Sequence, residues 1–142
     1  MDFNNLTKEA LPKEFQDRIE RFNRLFIEAT GKSFEEADLY EYEMGCIRQA
    51  LSFNEYFKDF SDEDFDAFTK EHESLYDLVM AVKDKLPFFD DGHSGNSLGM
   101  SWQLYRCYRT RPDLIPYMHG CLANLVGDIG YYDDRSDLPE LE

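Results

Sequence analysis

The residue types best suited to chemistry share one polar loop, Asp90-Asp91-Gly92-His93-Ser94-Gly95-Asn96-Ser97. Neighbouring carboxylates can orient or ionise a histidine, so His93 with Asp90, Asp91 and Ser94 has the makings of a general base or a ligand set. The competing reading is a loop histidine that satisfies backbone groups at a tight turn. No second histidine or partnered nucleophile stands beside His93, and zinc needs several convergent ligands. The structural role is therefore the expectation, and no catalytic residue is assigned. Gly95-Asn96-Ser97-Leu98-Gly99 also fits G-x-S-x-G, with Asp113 and His119 following in the order of a serine hydrolase. That motif works on a strand-to-helix turn in a parallel sheet, and Leu86-Pro87-Phe88-Phe89 makes a poor strand.

Three arginines form a second candidate, in Tyr105-Arg106-Cys107-Tyr108-Arg109-Thr110-Arg111. Arg106, Arg109 and Arg111 have the planar donors that grip phosphate or a partner's carboxylate. Arginines are equally at home near a helix C-terminus, where they meet the negative end of the dipole. No glycine-rich segment directly precedes them to cradle an anion, which favours the structural reading. A third pattern, Asp62-x-Asp64-x-Asp66 with Glu73, has oxygen-ligand spacing like a calcium loop. Ala67 occupies the place where that loop needs a glycine. Acids at a helix start are stabilising without an ion. No metal and no cofactor are expected. His72 falls on an apolar seam and reads as a packed core residue.

The elements that must position these groups are helical. Leu11, Phe15, Ile19, Phe22, Phe26 and Ala29 recur at helical spacing after Pro12 and before Gly31. Ser33 with Glu36 predicts a capping box for a second helix carrying Ala37, Tyr40, Met44, Ile47 and Leu51. Phe53 to Phe60 reads as an aromatic connector. Ser61 opens the strongest segment, in which Phe65, Phe68, His72, Leu75, Val79, Val82 and Leu86 alternate steps of three and four up to Pro87. A fourth helix starts near Asn96 or Ser97, and Pro112 ends it. A last one is predicted over about 113–126. No alternating strand pattern is present. The expectation is an all-α, single compact domain of about five helices over 1–130, with a frayed acidic tail over 131–142.

Charge supplies the functional argument. The chain of 142 residues carries a formal −15, and residues 33–77 alone hold fourteen acids against three bases. Such a chain is repelled by nucleic acid and by anionic lipid, so neither is an expected direct partner. No stretch reaches the roughly 18 apolar residues of a membrane span. Cys46, Cys107 and Cys121 are odd in number and sit among apolar residues, which reads as buried reduced thiols. With an N-terminus that lacks signal-peptide character, a cytoplasmic location is the expectation. One strongly anionic helical face suggests a cationic partner: a basic surface on a protein that normally meets phosphates. The expected contacts are Glu35, Asp38, Glu41, Tyr42, Glu43, Tyr56, Asp59, Asp62, Glu63 and Asp66, with Tyr40 and Phe57 as further aromatic anchors. Two alternatives stand beside this one. The seam over 65–86 could pack against a second copy in a structural or oligomerising protein. The 90–97 loop could serve a small hydrolase with Arg106 or Arg109 as anion clamp.

The segment Asp91-Gly92-His93-Ser94-Gly95-Asn96-Ser97 resembles a G-H-S-G-x-S stretch of small bacteriophage-encoded helical proteins. In those it likewise follows one helix and opens another. The likeness covers about 75–110 and implies a phage or prophage origin, with no catalytic role. A phage setting, with the host cytoplasm as location, makes the expected partner a host defence nuclease or its nucleic-acid channel. A bacterial setting makes it a nuclease toxin met by an immunity protein.

Overall fold

A computed structural model describes residues 3–33, 35–36, 40–89 and 95–118. Among them are five α-helices and four short 3-10 segments, and no strand. Helix α1, Lys13–Thr30, follows Pro12, whose carbonyl accepts from the Phe15 and Gln16 N–H groups at 3.0 and 3.2 Å. It stops at Gly31, which adopts the left-handed φ of 77° that a side chain disfavours. Phe15, Ile19, Phe22 and Phe26 are all buried on one face, as their spacing predicts.

Helix α2, Tyr40–Phe57, both confirms and corrects the sequence reading. The Ser33–Glu36 box forms in both directions, Ser33 N–H to Glu36 Oε1 at 3.2 Å and Glu36 N–H to Ser33 Oγ at 3.1 Å. Residues 35–36 nevertheless form a turn, and the continuous helix starts at Tyr40. At the other end α2 takes in Phe53 to Phe57, the first half of the expected connector. Phe53 and Phe57 extend the stripe Met44, Ile47, Ala50 by steps of three and four, and all five are buried. Burial of those two rings holds the extra turn helical, since tertiary packing dominates helix stability.

The segment read as one helix over 61–86 is two. Helix α3 spans Asp62–Glu71 and helix α4 spans Leu75–Val82. Each opens on a serine: Ser61 Oγ accepts from Asp64 N–H at 3.0 Å, and Ser74 Oγ accepts from Asp77 N–H at 3.1 Å. Between them His72 is extended, with φ −114° and ψ 100°. Ser74 breaks the run because its hydroxyl offers the backbone an N-cap in place of another helical turn. The apolar pattern survives the break, and Phe65, Leu78, Val79 and Val82 are buried.

Helix α5, Gly95–Thr110, packs along α2 at the centre of the molecule. The described start of the expected last helix is a 3-10 segment, Pro112–Tyr117, set against α1. Pro116 inside it has no N–H to give to the residue four earlier, so an α-helical ladder cannot run through it. The remainder of that expected helix and the 131–142 tail lie outside the described residues.

Phe57 is the centre of the core. Its ring lies 4.8–5.9 Å from those of Tyr56, Phe60, Phe65, Phe68, Trp102 and Tyr105, mostly edge to face. α2, α3 and α5 therefore meet at one aromatic cluster. Among the described residues no helix is long and apolar enough to cross a membrane.

The cysteines correct one expectation. Cys46 is disulfide-bonded and not a reduced thiol, since an odd count still leaves room for one pair. The argument for a cytoplasmic location from reduced thiols does not hold for it. Cys107 is free and buried, and burial pushes its thiol up to about 11 from 9.0. The protonated thiol favours the fold below pH 9, and that contribution is lost as the pH rises towards 11. At pH 8 the native protein should therefore label at Cys107 at least about a hundredfold more slowly than the urea-unfolded chain, read by peptide mass. Equal rates would show that this thiol is not buried.

Candidate functional site

The corner between α2 and α3 is where the acidic residues and the core architecture meet. Arg109 builds it. From α5 its guanidinium donates to the Phe57 carbonyl at 2.8 Å, the Phe60 carbonyl at 2.6 Å and the Tyr105 hydroxyl at 3.1 Å. It also lies 4.5 Å over the Phe65 ring. The Phe57 carbonyl also accepts the Phe60 N–H at 3.0 Å, so Arg109 reinforces the turn that ends α2 from a different helix. Burial raises the Tyr105 hydroxyl above its ordinary range, with Arg109 acting in the opposite sense. Arg109 is thus a structural clamp and not a free contact for a partner. Arg111 is likewise committed, pairing with Asp113 through two bonds of 2.9–3.0 Å. Hydrogen bonding to Arg111 lowers the Asp113 carboxyl below its ordinary range. Arg106 is half-buried and has no partner among the described residues.

The corner held by Arg109 carries Asp59, Asp62, Glu63, Asp64 and Asp66, all exposed. Asp62 touches Arg109 at 3.4 Å but remains 95% exposed at its side chain. Asp59, Glu63, Asp64 and Asp66 have no cation within ion-pair distance among the described residues, and residues 59–66 include no Lys or Arg. The stretch with calcium-loop spacing is helical in its first ten residues. Asp62, Glu63 and Asp64 fill the first turn of α3, where the helix dipole favours negative charge.

Other expected contacts are placed differently. Glu35 is exposed in the turn before α2, and Glu41 is exposed but paired with Arg48 at 3.2 Å. Tyr40 and Tyr42 lie in the first turn of α2. Asp38 lies outside the described residues, as do Asp90, Asp91, His93 and Ser94. Ser97 is in the first turn of α5. The entry to the loop is pinned from α2, for Ser52 Oγ donates to the Phe88 carbonyl at 2.6 Å and accepts its N–H at 3.0 Å.

Two predicted anchors belong to the core. Phe57 is fully buried, and Tyr56 is half-buried among the rings around it. The most exposed of the described large apolar side chains is Tyr76 on α4, at 68%, with Met80 one turn further on at 38%; neither is among the expected contacts. Both fall between the seam positions Leu75, Val79 and Val82, which was a signal that they face outward.

Glu43 is the largest correction. It is buried to 1% and paired with Arg18, itself at 0%, through a 2.6 Å bond from Nε to Oε1. Arg18 Nη1 also donates to the carbonyls of Ile115 and Met118, at 3.0 and 2.7 Å, and its guanidinium lies 4.2 Å over Phe22. Helical phase explains the burial, since Glu43 stands beside Met44 and one turn before Ile47 on the inward side of α2. It contributes nothing to an outer surface. Because removing one member strands a buried charge, Glu43→Gln or Arg18→Met should each cost about 3–5 kcal/mol in urea unfolding. The double variant Arg18→Met/Glu43→Gln should lose less than the sum of the two. Additive losses would show that the pair is not coupled.

The chain matches no protein-family model, no curated protein and no solved structure.

Proposed function

We propose that the α2–α3 corner docks onto a basic protein surface, one that normally meets nucleic-acid phosphates, and so blocks it. The observation that supports this reading is the set of exposed carboxylates Asp59, Glu63, Asp64 and Asp66, none in an ion pair among the described residues, on a corner clamped from within. A rigid array of carboxylates meets Lys and Arg without first having to be ordered, so little conformational entropy is lost on binding. Tyr76 and Met80 on α4 supply the apolar contact that charge lacks, for hot spots are commonly aromatic. In the phage setting that the G-H-S-G-x-S resemblance implies, the target is a host defence nuclease in the cytoplasm. In a bacterial setting it is a nuclease toxin.

Binding should be measured against a basic nucleic-acid-binding protein that co-purifies with the chain from its native host. The complex should weaken at least about tenfold between roughly 0.05 and 0.3 M salt, as electrostatic attraction is screened. The variant Asp59→Asn/Glu63→Gln should weaken it further. Glu20→Gln/Glu28→Gln on α1, which removes the same charge elsewhere, should leave it unchanged. Equal effects of the two variants would reduce the corner to general acidity and end the proposal.

A further inference from the structure

Beside α3 lies a cleft that shares only Asp66 with the docking corner. It opens at the junction of α3, α4 and α5 and has a volume of about 240 Å³. That is below the range of roughly 300–1,000 Å³ typical of drug-sized ligands. Phe65, Leu75, Leu78 and Trp102 supply the apolar part of a lining that is mostly polar. The polar groups are divided by sign. Asp66 and Glu73 come from α3 and the residues just after it, while Arg106 comes from α5.

His72 lines the cleft next to Glu73. Its Nδ1 is 2.8 Å from the Phe68 carbonyl, which can only accept, so Nδ1 carries the hydrogen. In the neutral ring Nε2 is then an acceptor. Helix α3 ends at Glu71, so its negative dipole end adds to the same side. Arg106 is half-buried and unpaired among the described residues, whereas Arg18, Arg48, Arg109 and Arg111 all have carboxylate partners.

A simple anion would face two carboxylates here, and a simple cation would face the arginine. A ligand with both charges and an apolar body meets every group. We propose that this cleft binds a free α-amino acid with an apolar side chain. Its carboxylate lies on Arg106, its ammonium on the Asp66, Glu73 and His72 side, and its side chain against Phe65, Leu75 and Trp102. The site shares Asp66 with the docking corner, but Arg106 and Glu73 are its own and the docking variants alter none of the three, so the two proposals fail separately.

Trp102 is the chain's one tryptophan and lines the cleft, so its emission reports occupancy. The probes are L-leucine, N-acetyl-L-leucine, which lacks the ammonium, and L-leucinamide, which lacks the carboxylate. L-Leucine should shift the emission saturably, and each analogue should bind at least about tenfold more weakly. Arg106→Gln should abolish the preference for leucine over leucinamide. Asp66→Asn/Glu73→Gln should abolish the preference over N-acetyl-leucine. Melting curves check that both variants fold, and calorimetry repeats the titration without relying on fluorescence. No saturable signal from L-leucine by either method up to about 10 mM would overturn the proposal, as this lies well above a Kd of about 1 mM. Binding of either analogue as tight as that of leucine would also overturn it.

Discussion

The Arg18–Glu43 pair is the constraint on which the arrangement of the helices depends. It joins α1 to α2, and through Arg18 Nη1 it also holds the carbonyls of Ile115 and Met118. One guanidinium therefore fixes three segments far apart in sequence. Two charges taken out of water at 0% and 1% exposure carry a large desolvation cost, which their attraction offsets only with close geometry. The geometry is close at 2.6 Å, yet Arg18 Nη2 and Glu43 Oε2 find no hydrogen-bond partner among the described residues. Each such group costs about 1–3 kcal/mol. A well-packed apolar pair would do as well for stability. What the ions add is direction: a guanidinium with fixed donors accepts one placement of the Pro112–Tyr117 segment, whereas methyl groups would accept several.

The second arginine clamp, Arg109, works at the opposite end of α2 and sets the surface. It satisfies the carbonyls of Phe57 and Phe60 and lies over Phe65, so α3 leaves α2 at a defined angle. The aromatic cluster around Phe57 fills the inside of that corner. With the rings and the guanidinium occupying the inner side, Asp62, Glu63 and Asp64 are left on the outer side, and Asp66 is exposed at the cleft beside α5. The acidic surface is thus a consequence of how α3 is anchored. Tyr105 belongs to both systems, stacked 5.9 Å from Phe57 and hydrogen-bonded to Arg109 at 3.1 Å.

Much of this was legible from periodicity and capping. The α1 stripe, the Gly31 stop, the Ser61 cap and the all-helical class follow from local rules. The break at His72–Ser74 was not, because a three-four apolar rhythm runs unbroken through it, and only Ser74 with Asp77 three residues on marked a second start. The extension of α2 to Phe57 was hidden because a run of aromatics reads equally as connector or as buried face. Glu43 was misplaced for a different reason. An acid next to Met44 in a helix of ordinary pattern looks like a surface residue, and its partner Arg18 is twenty-five positions away. Long-range pairing of this kind has no local signature. The Arg109 clamp shares that difficulty, for nothing in 105–111 specifies carbonyls at 57 and 60 as its targets.

The stability of the corner and its charge are separable, which bears on why the charge is there. Asp62, Glu63 and Asp64 gain from the α3 dipole, each by roughly 0.3–1 kcal/mol. Asp59 precedes the helix and Asp66 lies beyond its first turn, so neither shares fully in that gain. Both instead add repulsion to a crowded patch. The folding requirements of α3 are met by Ser61, Phe65 and Arg109 without them. A corner shaped only for folding would carry fewer acids or intersperse lysines, as around the start of α1, where Lys8 from the preceding segment meets Glu20 and Lys13 meets Asp17. Glu63, Asp64 and Asp66 are in no ion pair among the described residues although α3 is clamped from within, so their charge is not explained by the fold that carries them.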